Sequence, residues 1–266
     1  MHAAASASST ASSTAGWQAR AFGSGADDVA VAFDAADPGG ATTAVLAACL
    51  SDGDGRALPI DEAWDWTLNR RLHGLIAVRL AAGEASLELQ APCGACGEPM
   101  ALPLDVASLG SEPAAPRFAW RDAQGVEFRL RLPCGRDLRQ WRHHEMLSAT
   151  ALARTLVEAI DDRSVEEGVP WSADALPALD DAFEAHDPLT ALRLQAGCPA
   201  CGQLNDVACD LEAALLAGFA GRQAALLDEV TRLAGAFHWS EAEILALPRW
   251  RRAQYLRRID GAGSWA

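Results

Sequence analysis

The sequence contains no lysine: its 22 basic residues other than histidine are all arginine, against 36 acidic residues, and the net charge is -14. Such a chain is repelled by nucleic acid and by anionic membranes unless its arginines cluster. The sequence also lacks the run of about 20 apolar residues that a membrane-spanning helix needs. Its N-terminus lacks the basic start and apolar run of a secretory signal. We therefore expect a soluble, cytoplasmic protein without a membrane partner.

The seven cysteines do not suit a disulfide framework, because their number is odd and no export signal accompanies them. Four of them form two Cys-x-x-Cys motifs, Cys93–Cys96 and Cys198–Cys201. In a reducing compartment such motifs bind metal or carry out redox chemistry. The other three, Cys49, Cys134 and Cys209, have no partner at metal-binding spacing, and we expect them to be small buried apolar side chains.

The two motifs belong to a duplicated segment. Residues 87–97 (LELQAPCGACG) and 192–202 (LRLQAGCPACG) are identical at eight of eleven positions, at a constant offset of 105 residues. In each copy alternating leucines predict a half-buried strand that leads into the cysteine turn. The glycine after the second cysteine suits a positive φ. Because the similarity fades within about 25 residues, it predicts a duplicated element and not two full repeats.

Zinc prefers four tetrahedral nitrogen or sulfur ligands, and a closed four-cysteine site is usually structural. Since one Cys-x-x-Cys turn supplies two thiolates, we predict that Cys93, Cys96, Cys198 and Cys201 bind one structural zinc ion across a pseudo-twofold axis. Two alternatives stay open: a degenerate site that has lost its metal, and a redox motif in a cysteine-based oxidoreductase. The redox alternative needs a strand-to-helix turn in a βαβ setting, which neither copy is predicted to have.

The expected fold class is α+β, with duplicated zinc-knuckle β elements, a zinc-ribbon-like site, a helical insertion and C-terminal helices. The predicted segments are a disordered tail (1–20), a first zinc-knuckle half (21–116), a middle hairpin–helix insertion (117–174), a second zinc-knuckle half (175–221) and a C-terminal helical region (222–266).

The insertion is predicted to begin with a β-hairpin formed by residues 117–121 and 126–132. Leu152, Leu156 and Ile160 have helical spacing, which predicts a helix from about Glu145 to Asp161. A polar stretch (162–174) and a short helix that ends before Asp187 are expected to follow.

The C-terminal region is predicted to be helical. A helix is expected to start near Asp210, and an apolar stripe follows at Leu226, Val230, Leu233 and Phe237. The stripe suits either a core contact or a docking face for a partner. Ser240 and Glu243 form a capping box for a short helix that ends before Pro248.

The last predicted helix carries five arginines within ten residues, interleaved with aromatic and aliphatic side chains. Such a cluster fits phosphate contacts, an acidic partner or the protein's own acidic surface. The negative net charge and the interleaved apolar residues favour protein over nucleic acid. The predicted partner-binding residues are Trp239, Trp250, Arg251, Arg252 and Tyr255.

No motif typical of an enzyme is present: the sequence has no Gly-x-Ser-x-Gly, no P-loop and no dinucleotide fingerprint. His143–His144–Glu145 lacks a histidine four residues after His144, because position 148 is serine, so a solvated helix start is favoured over a metalloprotease site. The acidic pairs Asp27–Asp28, Asp161–Asp162 and Asp180–Asp181 are expected on the surface. The sequence therefore predicts that the protein is not an enzyme.

Three segments resemble a family found in contractile-tailed phages and phage-tail-like injection systems: HDPLTALRLQAGCPACGQ, FRLRLPCGRDLRQW and FHWSEAEILALPRWRRAQYLRRID. The family's first knuckle corresponds to Cys93 through Glu98, and its Arg-Leu-Pro-x-Gly-x-Asp-Leu stretch to Arg131 through Leu138. Its Asp-Pro before the second knuckle corresponds to Asp187–Pro188, and its closing motif to Trp239 through Tyr255. The first knuckle departs from the family in beginning Cys-Gly instead of Cys-Pro.

The family is related to the baseplate hub assembly chaperone of T-even-type phages, and the resemblance covers roughly residues 40–260. It implies a non-enzymatic assembly chaperone or minor component of a contractile-tail baseplate or hub, with other baseplate and tail proteins as partners. The alternative is a zinc-ribbon protein that binds nucleic acid, or a regulatory protein, using the arginine-rich helix.

Overall fold

A computed structural model describes residues 16–262 except 111, 143–147, 162 and 165–174. In this part of the chain helices combine with small antiparallel sheets, which confirms the α+β class. Several predictions fall wholly or largely outside the described residues: most of the disordered tail, His143–His144–Glu145 and most of the polar stretch 162–174. No helix among the described residues is long and apolar enough to cross a membrane.

The described helices are α1 Pro38–Cys49, α2 Ile60–Asp65, α3 Leu68–Ala81, α4 Gly135–Arg142, α5 Ala149–Arg154, α6 Leu176–His186, α7 Leu211–Phe237, α8 Glu241–Leu245 and α9 Arg249–Ala262. The strands are β1 Gln18–Ala19, β2 Leu50–Ser51, β3 Ser86–Pro92, β4 Pro99–Asp105, β5 Arg117–Arg121, β6 Glu127–Arg131, β7 Val157–Ile160, β8 Arg163–Ser164, β9 Arg193–Gly197 and β10 Leu204–Ala208. β1 pairs with β2, β3 with β4 and β9 with β10, and β5 to β8 form a four-stranded antiparallel sheet in sequence order.

The largest core cluster lies between α1, α3 and α7. Leu46 of α1, Leu75 of α3 and Leu215 of α7 are fully buried in it. α3 lies close to α1 because it carries Gly74, where a Cβ would come within 2.5 Å of a Leu46 methyl carbon. Leu87 and Leu104 of the first cysteine-bearing hairpin also belong to this cluster, so the base of that hairpin is fixed to the helical core.

The N-terminal strand corrects the predicted extent of the tail. β1 pairs with β2, the Trp17 ring packs edge-on against Trp66, and Arg20 forms an ion pair with Asp28. Residues 17–20 are therefore part of the fold and not of a disordered tail. The same contact corrects the surface assignment of Asp28, whose side chain is fully buried.

The predicted helix from Glu145 to Asp161 is wrong in its second half. α5 ends at Arg154, and Val157–Ile160 instead form β7, which pairs with the edge of the correctly predicted β5–β6 hairpin. The backbone groups at the free edge of β6 need hydrogen-bond partners, and Val157 and Ile160 are β-branched. Strand pairing therefore overrides a helical period that rests on three residues.

The C-terminal stripe packs inside the protein. Leu226, Val230 and Leu233 are buried, and the last two form a core cluster with Ile244 of α8 and Leu256 of α9. The stripe is thus a core contact and not a docking face. It lies on the 27-residue helix α7, which also contains the helix predicted from Asp210, so the predicted division after residue 221 falls inside one helix.

Candidate metal centre

Each Cys-x-x-Cys turn joins the two strands of a hairpin, and the two hairpins have the same register. Ala91 pairs with Met100 in the first hairpin, and the residues 105 positions later, Ala196 and Asn205, pair in the second. Hence the duplicated segment folds twice into the same local structure.

The backbone of the two turns also agrees closely. The Cys93 N–H donates to the Glu98 carbonyl at 2.8 Å, and the Cys198 N–H donates to the Gln203 carbonyl at 2.8 Å. The glycine after each second cysteine has a positive φ, 75° at Gly97 and 74° at Gly202, as the sequence predicts.

The structural duplication is longer than the sequence identity indicates. The helices that precede the hairpins, α3 and α6, end at Ala81 and His186, again 105 residues apart. Asp105 at the end of β4 and Asp210 shortly after β10 each cap the next helical segment through the side chain. A helix, a cysteine-bearing hairpin and an aspartate cap therefore occur twice.

The turns bring the four predicted ligand atoms together. The Cys93 and Cys201 sulfurs are 3.7 Å apart, and those of Cys96 and Cys198 are 3.6 Å apart. These two pairs exchange under the 105-residue relation, as a pseudo-twofold axis requires. All four sulfurs lie within 4.8 Å of one another.

This geometry fits a tetrahedral thiolate site. With Zn–S bonds of about 2.3 Å, the sulfurs of a regular tetrahedron are about 3.8 Å apart. The observed distances also exceed the disulfide bond length of about 2.05 Å, and all seven cysteines are free thiols. Neither motif starts a helix, because each joins two antiparallel strands, which also differs from the setting of a thioredoxin-like redox motif.

In both turns the first cysteine is buried and the second is exposed. The first cysteine of each motif is almost inaccessible, with Cys93 3% and Cys198 4% exposed, whereas Cys96 and Cys201 are exposed. The cluster at the sulfurs contains two other buried side chains, Met100 and Leu102, and five partly buried apolar side chains pack against it: Leu89, Ala91, Leu194, Ala196 and Val207. The apolar contact between the hairpins is therefore small compared with the helical core.

Asn205, which is not among the predicted site residues, connects the two hairpins at the sulfur cluster. Its side-chain carbonyl accepts from the Gly94 N–H at 2.9 Å, and its amide nitrogen lies 3.6 Å from the Cys93 sulfur. The same nitrogen is 3.4 Å from the sulfur of Met100, its counterpart in the first copy. This substitution of an amide for a thioether in the repeat is the sequence signal that distinguishes Asn205.

The protein environment gives the thiols of the first turn different proton affinities. Hydrogen bonds from the backbone N–H groups of Cys96 and Ala95 lower the pKa of Cys93 to about 6. At Cys96 the backbone N–H of Glu98 acts to lower the pKa, but hydrogen bonds with the Cys201 and Cys198 thiols outweigh it and raise the pKa to about 12. Thiolates at this separation repel one another, and a bound cation would remove that repulsion.

The remaining cysteines lie elsewhere. Cys49 is buried, and burial raises the pKa of its thiol to about 12, which confirms its assignment as an apolar side chain. Cys134 and Cys209 are only partly buried.

The predicted partner-binding residues are in two environments. Trp250 is 63% exposed and Arg251 is exposed, so both can contact a partner. Trp239 and Tyr255 are partly buried: Trp239 stacks on Phe237, and Tyr255 packs edge-on against both rings.

Arg252 must be removed from the predicted partner-binding set. It is 2% exposed, and its guanidinium group donates to the Leu247 carbonyl, to Glu229 and to the Gly23 carbonyl. These contacts join α9 to α7 and to the N-terminal loop. Arg252 therefore acts inside the fold.

Comparison of the chain with family models, curated proteins and solved structures finds no match.

Proposed function

We propose that the protein is a non-enzymatic assembly chaperone or minor component of the baseplate or hub of a contractile phage tail or phage-tail-like injection system, with a structural zinc ion. The observation that carries the proposal is the four-sulfur cluster between the duplicated hairpins. It lies in the two knuckles on which the resemblance to tail-assembly proteins partly depends.

Zinc is the metal that this donor set suits best. Four thiolates in tetrahedral geometry are typical of zinc or of iron–sulfur centres, and a site with four protein ligands leaves no position open for substrate. The metal would be held by Cys93, Cys96, Cys198 and Cys201, which lie on two separate hairpins. Its role is then to fasten one hairpin to the other.

The partner surface in this proposal is the exposed start of α9. Trp250 and Arg251 are neighbours there, and tryptophan and arginine are the residue types that contribute most often to the binding energy of protein interfaces.

The test is affinity purification of the tagged protein from cells that express the complete tail operon. The proposal predicts that identified baseplate or spike proteins copurify, and that Trp250→Ala weakens their recovery. Ile60→Ala is the matched control, because Ile60 is 61% exposed but lies on α2. Recovery of no baseplate or tail-spike protein would contradict the proposal.

Nucleic-acid binding is the second candidate function. It is favoured by four arginines that remain exposed on α9: Arg249, Arg251, Arg257 and Arg258. This function predicts a salt-dependent mobility shift with DNA or RNA, which Arg251→Glu weakens. The absence of a shift at low salt would eliminate it.

A further inference from the structure

A small polar cavity lies where α7 and α9 meet the turn between α3 and β3 and the loop at Gly23. Its volume is about 250 Å³. The charged side chains that line it are those of Arg222, Arg249, Arg252, Glu84 and Glu229. We call this space the arginine cavity.

A fourth arginine lies next to the arginine cavity. Arg79 of α3 forms a salt bridge with Glu84, and its Nη1 atom would be 3.0 Å from a Cβ added at Gly218, a residue of the cavity wall. Gly23 has the same relation to Arg222, whose Cγ would be 3.0 Å from an added Cβ. The two glycines therefore leave room for arginine side chains against the backbone.

Positive charge exceeds negative charge around the arginine cavity. Glu84 pairs with both Arg79 and Arg222, and Glu229 pairs with Arg252. Two carboxylates thus face four guanidinium groups, since Arg249 also lines the cavity and forms no salt bridge with a described residue. The chain as a whole is strongly acidic, with a net charge of -14.

Three of the four guanidinium groups are poorly hydrated. The exposed side-chain fractions are 2% for Arg252, 12% for Arg79 and 19% for Arg222. Burial, and after it the positive charges of Arg249 and Arg79, lower the pKa of Arg222. Buried positive charge is stabilised by carboxylates, and these three guanidinium groups share only two, so the cavity favours a further anion.

We propose that the arginine cavity binds carboxylate groups of an acidic peptide segment of a partner protein. Guanidinium groups bind carboxylates through paired charge-assisted hydrogen bonds, and this volume accommodates one or two acidic side chains but no folded element. Arg249 lines the cavity and is itself exposed, and its neighbour Trp250 is exposed for contact with the same segment. Binding of carboxylates in the arginine cavity can be measured without any tail protein, so this proposal and the baseplate assignment can fail independently.

The test measures binding of a fluorescent polyglutamate peptide to the full chain by anisotropy, with inorganic phosphate as a competing probe. We expect Arg249→Glu to weaken binding about tenfold, the effect of losing one charge-assisted hydrogen bond. Arg257→Glu is the matched control: it makes the same charge change on the exposed surface of α9, but Arg257 does not line the cavity. The affinity of the Arg257→Glu variant for the peptide should stay within about twofold of that of the parent protein.

A second variant should strengthen binding, which a misfolded protein does not do. Glu84→Gln removes a carboxylate from the cavity and leaves Arg79 and Arg222 without their shared partner, so we expect about fivefold tighter binding. Glu88→Gln, at an exposed position of β3, should have no effect. Equal losses in Arg249→Glu and Arg257→Glu, no change in Glu84→Gln, or binding of phosphate but not of the peptide would each overturn the proposal.

Discussion

Asn205 is the residue that distinguishes two otherwise equivalent halves of the four-sulfur cluster. Its amide contacts the Cys93 sulfur and the Gly94 backbone, whereas the corresponding position in the first hairpin is Met100, which offers no N–H donor. Residues that hydrogen-bond to metal ligands fix their orientation. Asn205 is therefore a positioning residue for the first turn.

Asn205→Ala should lower the zinc affinity by about 10- to 100-fold, the usual effect of removing a group that supports a ligand. Competition with a chromophoric chelator measures this affinity. Gln203→Ala is the control, since the Gln203 side chain is exposed at the same turn and bonds only to the adjacent Leu204 carbonyl. An unchanged affinity in Asn205→Ala would show that the contact with Cys93 has no role in metal binding.

Burial and the neighbouring hydrogen-bond donors have opposite effects on the pKa of Asp28. Burial acts to raise its pKa, but hydrogen bonds from Arg20 and from the Gly25 and Gly23 backbone outweigh it and lower the pKa below the ordinary value. A carboxylate with a depressed pKa stabilises the fold above its unfolded-state pKa, near 4, and this stabilisation is lost as the pH falls through the folded-state pKa.

Asp28→Asn should therefore lower the free energy of unfolding at pH 7 by about 3 kcal/mol, because it leaves the Arg20 charge unpaired. Denaturant titrations of parent and variant should converge as the pH falls below about 4. Asp27→Asn, a change at the exposed neighbour, should alter stability by less than about 0.5 kcal/mol. A difference between parent and Asp28→Asn that grows on acidification would contradict this account.

At the scale of elements, the long helix α7 contains three exposed glycines, and two of them, Gly218 and Gly221, have different surroundings. A Cβ added at Gly221 meets no atom within 4 Å, whereas one at Gly218 meets Arg79 Nη1 at 3.0 Å. Glycine in a helix interior costs about 1 kcal/mol relative to alanine.

Gly221→Ala should raise the free energy of unfolding by up to about 1 kcal/mol. Gly218→Ala should raise the free energy of unfolding by less, because the new methyl group displaces the Arg79 guanidinium from its place beside Glu84. Thermal or denaturant unfolding of the two variants measures the difference. A larger gain at Gly218 than at Gly221 would mean that Arg79 does not pack against α7.

Some elements of this fold can be predicted from local sequence patterns, and others cannot. The β5–β6 hairpin, the Ser240–Glu243 capping box and the strand that leads into each cysteine turn depend on local chemistry, and the sequence predicts them correctly. β7 depends on the free edge of a strand far away in sequence, which no local pattern reveals. The internal position of Arg252 likewise follows from contacts with three other segments.

For the whole molecule, the structure contains a helical core and two cysteine hairpins that touch each other over a small apolar area. The first hairpin is anchored in the core by Leu87 and Leu104, whereas its contact with the second is formed by the sulfur cluster, a few apolar side chains and Asn205. A metal ion bound at the four sulfurs would add four metal–ligand bonds to this link. The sequence predicts that the two turns lie together, because each Cys-x-x-Cys turn supplies only two of the four ligands that a zinc ion needs.

Removal of the metal by a strong chelator should loosen the hairpins more than the helical core. Hydrogen exchange should accelerate in β3, β4, β9 and β10, while α1 and the central part of α3 stay protected by the cluster that contains Leu46 and Leu75. The same exchange pattern before and after chelation would show that the metal does not hold the hairpins.

The most direct test of the central claim is the metal content of the freshly purified chain, measured by native mass spectrometry together with elemental analysis. We predict one zinc ion per chain, its loss in Cys198→Ser, and its retention in Cys209→Ser, which changes a cysteine outside the cluster. A metal-free parent protein, or a Cys198→Ser variant that binds zinc as tightly as the parent, would contradict the claim.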